Sequence, residues 1–248
     1  MKQRFGEAWD LLFHPPVAHR GLWSPDGFPE NSLGAFQAAV AHGYGIELDV
    51  QLSADGEAMV FHDDKLARMT GAEGRVRDRT AAELQALSLA STDDTIPTLL
   101  ETLALIGHRA MVHIELKTPY GEVGPLEQRV HDVIADHNGP LCVIGFNPYS
   151  HAWFADRYPG VLRGLDSYSY DRATRMAETQ RRSFANLEHV EIARPHFLAL
   201  GLDMLPSARA AEYRAQGLPI VAWTVRNPAQ WDAVKDGCDN LIFEGFAA

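Results

Sequence analysis

Eight short apolar runs, separated by stretches with helical character, constrain the fold of this 248-residue chain more than any other feature. Buried strands that alternate with helices are typical of a parallel sheet built from repeated βα units. A closed (β/α)8 barrel, the TIM barrel, is favoured over an open doubly wound sheet because the sequence has no G-x-G-x-x-G turn. The eight runs begin near Val17, Gly45, Ala110, Leu141, Val161, Phe197, Pro219 and Asn240.

The spacing between the second and third of these strands predicts an insertion. Residues 63–97 are polar and irregular, too long for an ordinary connection, and contain a short capped helix over residues 80–87. We therefore expect one α/β domain over residues 1–248, with residues 63–97 as an inserted subdomain over the active-site end. Capping residues precede other predicted helices, in the capping box Thr98–Glu101 and in the pairs Asn147-Pro148 and Asn227-Pro228.

Charge and hydropathy exclude several kinds of partner. The chain has 22 basic and 33 acidic residues, a formal net charge of −11, and no basic stripe. Such a chain does not attract a phosphate backbone, so we expect no nucleic-acid partner. No stretch of about 20 apolar residues is present, so we expect no transmembrane segment and a cytoplasmic location. A monomer or a homodimer is expected on general grounds alone.

Two of the predicted strands carry charged residues where a barrel strand should be apolar. Because strand side chains alternate between two faces, Glu47 and Asp49 share one face of the second strand. The same alternation puts His113, Glu115 and Lys117 on one face of the next barrel strand. The opposite, apolar faces must meet the helices, so the three carboxylates and the lysine are predicted to project into the mouth of the barrel.

Three carboxylates that converge from neighbouring strands repel one another unless a cation lies between them. Ligation by oxygen atoms alone suits a hard divalent ion, so Glu47, Asp49 and Glu115 predict one bound Mg²⁺ or Ca²⁺. The alternative is a salt bridge between Lys117 and a carboxylate on an outer rim. One lysine cannot balance three acids, which favours the metal site.

Two histidines lie where barrel enzymes carry their catalytic residues, at the ends of strands. His19 ends the first apolar run, and His62 ends the run that starts at Ala58. Imidazoles with a pKa near neutrality can divide proton removal and proton donation between them. The other nine histidines are interpreted as packing or surface residues.

The chain resembles the glycerophosphodiester phosphodiesterase family over almost its whole length. The ordered set of motifs is far more specific than any one of them. The resembling segments are His19-Arg20-Gly21, Pro29-Glu30-Asn31-Ser32, Ile46-Glu47-Leu48-Asp49-Val50, Asp55-Gly56, Val60-Phe61-His62-Asp63, Ile96-Pro97-Thr98-Leu99, Ile114-Glu115-Leu116-Lys117 and Ala222-Trp223-Thr224-Val225.

The resemblance implies a metal-dependent phosphodiesterase that releases sn-glycerol 3-phosphate and an alcohol from a small glycerophosphodiester. It implies that Arg20 and Lys117 face the phosphate and that Trp223 lines the pocket. Glu30 and Asn31 either support the ligands from behind, or they brace the first loop or cap the next helix. The resemblance maps the metal ligands onto Glu47, Asp49 and Glu115 and the acid/base pair onto His19 and His62.

Departures from the family leave the alcohol open. The chain has Gly145-Phe146-Asn147 after the fourth strand, where the family usually has a Ser-Phe pair, and Phe243-Glu244-Gly245 after the last strand, where it often has Thr-Asp. Three other functions are weighed: a lysophospholipase D-like enzyme on the same barrel, a barrel aldolase that uses Lys117 as a Schiff-base amine, and a binding protein without catalysis. The nucleophile is either a substrate hydroxyl or water.

Overall fold

The structure is a computed structural model that describes residues 1–171, 173 and 176–248. Nine strands are found in this part of the chain. They are β1 (Val17–Ala18), β2 (Gly45–Leu52), β3 (Ala58–Val60), β4 (Val112–Leu116), β5 (Leu141–Gly145), β6 (Arg163–Ser167), β7 (Phe197–Gly201), β8 (Ile220–Val225) and β9 (Asn240–Phe243).

Helices fill the connections between the strands. The α-helices among the described residues are α1 (Lys2–Phe5), α2 (Glu7–Leu11), α3 (Leu33–Ala41), α4 (Ala67–Thr70), α5 (Ala81–Gln85), α6 (Leu99–Ile106), α7 (Pro125–Ile134), α8 (Pro148–Arg157), α9 (Glu178–Ala185), α10 (Val190–Ala193), α11 (Ala208–Ala215) and α12 (Pro228–Val234). Single turns of 3-10 helix occur at Val76–Asp78, Leu202–Met204 and Lys235–Gly237.

Hydrogen bonds order the strands as β1-β9-β8-β7-β6-β5-β4-β2-β3, and β1 also pairs with β2. The eight strands other than β3 therefore close into a parallel barrel with helices in its connections. β3 pairs antiparallel with β2 and lies outside the ring. The predicted barrel is confirmed, and each predicted strand begins within two residues of its expected start.

Contacts within the chain define two compact units, which are described separately. Unit A comprises Ala18–Leu141, and unit B comprises Met1–Val17 together with Cys142–Ala248. In unit A, β2 and β4 run in parallel, and their register pairs Glu47 with His113 and Asp49 with Glu115. The polar faces predicted from alternation therefore lie side by side.

Residues 63–97 of unit A form short helices around an apolar cluster that also includes Met59 and Phe61. The predicted helix is present as α5, and Thr80 and Glu83 form its capping box. Each fully buried aliphatic side chain of such a cluster contributes roughly 1.5–3 kcal/mol. The assignment of the segment as a subdomain over the active-site end stays a prediction. The cluster consists of Met59, Phe61, Leu66, Val76, Leu84, Leu89 and Ile96.

Unit B is held together by strand pairing and by side-chain bonds at its ends. Asn240 Nδ2 donates to the carbonyl oxygens of Leu12 at 3.0 Å and Pro15 at 2.9 Å, which ties the amino-terminal segment to β9. Asn147 and Asn227 cap α8 and α12, each just before a proline, as the sequence predicts. No helix in the described part of the chain is long and apolar enough to cross a membrane.

Candidate active site

Three buried carboxylates converge in unit A where β2 and β4 lie side by side. Glu47 and Asp49 belong to β2 and Glu115 to β4, and one carboxylate oxygen of each lies within 4.8 Å of the other two. The most exposed of the three, Glu115, is only 8% exposed. Acids buried this closely are strongly unfavourable unless positive charge is supplied.

Two basic side chains supply part of that charge. Lys117 Nζ donates to Glu115 Oε1 at 2.6 Å and forms an ion pair with Asp49 Oδ1 at 2.8 Å. Arg20 Nε lies 3.4 Å from Asp49 Oδ2. Lys117 thus makes the salt bridge that was weighed as an alternative, but inside a buried cluster and not on an exposed rim. With all three acids ionised, the two cations leave one negative charge uncompensated within this group of five side chains.

Glu47 is the acid whose ionised form these cations stabilise least. Its Oε2 accepts the backbone N–H of Arg20 at 2.9 Å, whereas its Oε1 has no hydrogen-bond partner among the residues that the structure describes. Burial, with Asp49 and Glu115 close by, raises the pKa of Glu47 well above its ordinary value. A buried oxygen without a donor, next to two further carboxylates, fits a hard metal ion as ligand.

The pKa values of the other charged groups diverge. Burial opposes ionisation of Asp49, but Lys117, His62 and Arg20 outweigh it and hold the Asp49 pKa far below its ordinary value. Burial raises the pKa of Glu115 to about 7. Burial would lower the pKa of Lys117, but Asp49 and Glu115 raise it above its ordinary value. A lysine held in its charged form is a poor Schiff-base amine, which argues against the aldolase.

Both predicted catalytic histidines lie at the edge of this cluster. His19 follows β1, and its Nε2 is 3.9 Å from Glu47 Oε2. His62 lies two residues beyond β3, and its Nδ1 is 2.7 Å from Asp63 Oδ1. Burial lowers the pKa of His62, while hydrogen bonds from Arg68 and His62 outweigh partial burial to lower the pKa of Asp63. An ionised carboxylate only accepts, so Nδ1 of neutral His62 carries the proton and Nε2 is free of one.

A network of ion pairs runs from His62 into the inserted segment. Arg68 Nε donates to Asp63 Oδ2 at 2.5 Å, and the same guanidinium donates to Glu30 at 2.6 and 2.9 Å. Glu30 also accepts from Arg20 at 2.8 Å, which returns the network to the acid cluster. Sequence reasoning did not find Arg68, because an exposed arginine in an irregular segment follows no strand or helix periodicity.

Asn31 braces the acid cluster, while a neighbouring residue caps the helix. Asn31 Nδ2 donates to Asp49 Oδ2 at 2.7 Å, and its backbone N–H donates to the carbonyl oxygen of Arg20 at 2.9 Å. Ser32 is the capping residue of α3, since its hydroxyl accepts a backbone N–H of the first turn. Of the structural roles considered for Glu30 and Asn31, bracing of the loop is present and helix capping is not.

The loop that carries these residues has an unusual backbone. Arg20 and Asn31 both have φ of 57° and Gly21 has φ of 81°, in the left-handed region. A Cβ on Gly21 would lie 2.9 Å from backbone and side-chain atoms of Ala35, so only glycine fits. The ion pairs of Arg20 and the hydrogen bonds of Asn31 hold these two residues in a conformation that costs roughly 1 kcal/mol or more each.

Trp223 belongs to unit B and is described there. Its indole Nε1 donates to the carbonyl oxygen of Ala199 at 2.9 Å, and its ring meets that of Phe146 edge to face at 5.6 Å between centroids. The indole is therefore fixed by β7 and by the residue that follows β5. The prediction that Trp223 lines the substrate pocket stays a prediction.

The fold and this cluster define the class of the protein as a barrel enzyme. Residues 19–244 match the model of the glycerophosphoryl diester phosphodiesterase family. The chain belongs to that family, and the prediction of a phosphoric diester hydrolase is confirmed at the level of the family.

Individual relatives agree with this assignment. The chain is 32% identical over 222 residues to YhdW of Bacillus subtilis (strain 168), a protein provisionally named as a glycerophosphodiester phosphodiesterase. The match covers 85% of this chain and 86% of that one. It is 38% identical over 144 residues to a glycerophosphodiester phosphodiesterase of Caldanaerobacter subterraneus, covering 54% of this chain and 58% of that one. A phosphodiesterase of Oleispira antarctica, solved with the product sn-glycerol-3-phosphate, has a TM-score of 0.80 at 26% identity, with 96% of this chain and 94% of that chain covered.

Proposed function

We propose that this enzyme hydrolyses small glycerophosphodiesters to sn-glycerol 3-phosphate and an alcohol, with one divalent cation, Mg²⁺ or Ca²⁺, held by Glu47, Asp49 and Glu115. The observation that carries the metal site is the convergence of three buried carboxylates with an unpartnered oxygen on Glu47. The product bound to the Oleispira relative supports sn-glycerol 3-phosphate as product. A divalent cation bound by these oxygens would withdraw electron density from a phosphoryl oxygen.

The basic residues of the cluster would bind the phosphate. Lys117 and Arg20 have only 19% and 16% of their side-chain surfaces exposed, and both are already held by acids. Positive groups fixed in advance stabilise developing charge without reorganisation, which favours the transition state over the ground state. The family resemblance also implies that Trp223 lines the substrate pocket.

The two histidines would transfer the protons. His62 presents an unprotonated Nε2 because Asp63 holds its Nδ1 proton, and Arg68 fixes Asp63 in turn. His19 lies beside Glu47, so its imidazole is also close to the proposed metal ligands. One imidazole would take a proton from the attacking hydroxyl and the other would protonate the leaving alkoxide.

The test is release of glycerol 3-phosphate from glycerophosphocholine and related diesters, assayed with Mg²⁺, with Ca²⁺ and with a chelator. Cleavage with a cation and not with chelator is expected, and the proposed function fails if no diester is cleaved with any metal. H19A and H62A should each lower kcat by on the order of 10²–10⁴. H108A alters an exposed histidine outside the cluster and is the control that should keep full activity.

Other features of the chain remain proposals of the same kind. We predict a single barrel domain over residues 1–248 with residues 63–97 inserted. We also predict a cytoplasmic location and a monomeric or homodimeric state. Limited proteolysis tests the first, because a single domain should resist cleavage between units A and B under native conditions. Light scattering of the purified protein tests the third.

A further inference from the structure

A cavity of about 750 Å³ in unit A opens beside the proposed catalytic residues. Its wall includes His62 and Lys117, and from there it extends along the loop that follows β4 and the start of α7, residues 117–126. Cavities of about 300–1,000 Å³ bind ligands of drug-like size, far larger than a phosphate group. A diester whose phosphate lies at Lys117 would therefore have room for a sizeable substituent on this side.

The wall of the cavity away from the catalytic residues is largely apolar. Leu52 and Val123 are half-buried and Leu126 is buried, and two prolines complete this surface. No phenylalanine, tyrosine or tryptophan is among the described residues that line it. Quaternary ammonium groups are bound over aromatic faces, so the cavity lacks what would recognise choline.

The uncharged polar side chains of the wall have their hydrogen bonds inside the protein. Gln51 Nε2 donates to the carbonyl oxygens of Phe61 at 2.7 Å and Asp63 at 2.9 Å. Ser53 Oγ donates to a carboxylate of the following turn at 2.5 Å. Thr118 Oγ1 donates to Glu127 Oε1 at 2.7 Å. These groups are committed to the fold, which leaves hydrocarbon as the main surface offered to a ligand.

The charged side chains at the rim are engaged with one another. Arg77 of the inserted segment pairs with Glu122 at 3.2 Å, and Asp64 pairs with Arg75 at 3.5 Å. Asp64, Arg77 and Glu122 line the cavity and are about half exposed, so they lie at its mouth and not in its depth. A ligand that entered would pass a polar rim and then contact apolar walls.

We propose that this cavity binds an apolar chain carried by the diester, so that the substrate class is glycerophosphodiesters bearing a hydrocarbon group. This rests on the proposed function, since the phosphate must lie at Lys117 and His62 for the chain to reach the cavity. The chain can come from two sources: the esterified alcohol, or an acyl group on the glycerol as in a short lysophospholipid. The shared chemistry is burial of methylene groups.

The test compares kcat/KM over two series of soluble substrates. One series has ethyl, butyl and hexyl alcohols on glycerophosphate, and the other has acetyl, butanoyl and hexanoyl groups on the glycerol of glycerophosphocholine. A buried methylene contributes roughly a fourfold factor, so kcat/KM should rise on the order of 100-fold from ethyl to hexyl in the series whose chain enters the cavity. A rise in either series identifies the source of the chain.

A substitution in the wall ties the effect to the cavity. V123D places a charge in a surface loop of the apolar wall, and it should reduce the ratio of hexyl to ethyl kcat/KM at least tenfold. L100D introduces the same charge at an exposed leucine of α6 outside the cavity, and it should leave the ratio unchanged. The ratio within one protein is independent of how much of a variant is folded.

If kcat/KM of the longest substrate is within threefold of that of the shortest in both series, the inference is overturned. The proposed function stays intact in that case, because the short diesters would still be cleaved. A V123D ratio equal to that of the unmodified enzyme would overturn it as well. No cleavage of any substrate would overturn both, so the two failures are distinguishable.

Discussion

Removal of divalent cations with a chelator should destabilise the folded chain, because three buried carboxylates then have only two basic side chains among them. Two ionised carboxylates with oxygens 4.8 Å apart repel by about 3.5 kcal/mol at an effective dielectric constant of about 20. With all three acids ionised, three such pairs amount to roughly 10 kcal/mol, which Lys117 and Arg20 offset in part and which protonation of Glu47 relieves in chelator. A cation that binds the folded chain removes the rest of this repulsion.

The size of the effect follows from linkage between binding and folding. A cation present at about 100 times its Kd stabilises the folded state by about 2.7 kcal/mol. For a chain of this length each kcal/mol moves Tm by roughly 2–4 °C, so we expect a rise of about 5–10 °C on addition of Mg²⁺ or Ca²⁺. Scanning calorimetry in chelator and in millimolar cation measures it directly.

E47Q separates the metal site from general effects of salt. Glutamine keeps the size of the side chain but cannot ionise, so in chelator the variant should be more stable than the unmodified protein at a pH high enough to ionise Glu47. Its shift in Tm with cation should fall to a small fraction of the original. E73Q changes an exposed acid of unit A outside the cluster and should keep the full shift.

The pH dependence has a definite sign. Burial raises the pKa of Glu115 to about 7, above its ordinary value of 4.5. Between these values the folded chain holds a proton that the unfolded chain lacks, so stability in chelator should fall as the pH rises through 7. Cation binding releases this proton, and the Kd of the cation should therefore tighten over the same range. If Tm is equal in chelator and in cation at every pH, the proposed metal site is wrong.

Three further changes test other parts of the structure. R68Q removes the ion pairs that fix Asp63 and Glu30, so it should lower kcat roughly 10- to 100-fold. It should change Tm little, since Arg68 is half exposed. An unchanged kcat would contradict the role of Arg68 in positioning His62. G21A should cost about 2–4 kcal/mol in urea unfolding, because the new methyl group overlaps Ala35, whereas G43A, at a similar φ in open space, should cost about 1; equal costs would refute the overlap. Burial lowers the pKa of His151 to about 4, so the free energy of unfolding should fall by up to about 3 kcal/mol as the pH falls from 6.5 towards 4. The loss should be smaller in H151Q, and identical pH profiles of stability for the two proteins would contradict this.

Much of the site follows from strand alternation. Glu47, Asp49, Glu115 and Lys117 break otherwise apolar strands, so their common face is readable without coordinates. The register of β2 against β4 then brings Asp49 and Glu115 side by side, as expected of neighbouring parallel strands. Local helix signals such as the capping box at Thr98 are equally readable, because capping depends only on residues within one turn.

Other features of the site have no local signal. The salt bridge from Arg68 to Asp63 and Glu30 joins residues up to 38 positions apart in an irregular segment, where no periodicity marks a partner. Asn31 and Ser32 are neighbours with interchangeable capping chemistry, and only the turn of the chain decides that Ser32 caps α3 while Asn31 bonds to Asp49. The antiparallel pairing of β3 outside the ring also depends on the turn between it and β2.

The sequence by itself determined the barrel, the two polar strand faces and the two histidines at strand ends, because periodicity along one strand or helix is fixed by backbone geometry. The tertiary structure decided how the charges are shared: Lys117 and Arg20 bind Asp49, Glu47 keeps an unpartnered oxygen, and the pKa values of three similar acids separate. It also decided that an apolar cavity adjoins His62. Electrostatic compensation and cavities arise from distances between segments far apart in the chain, and such distances exist only once the chain has folded.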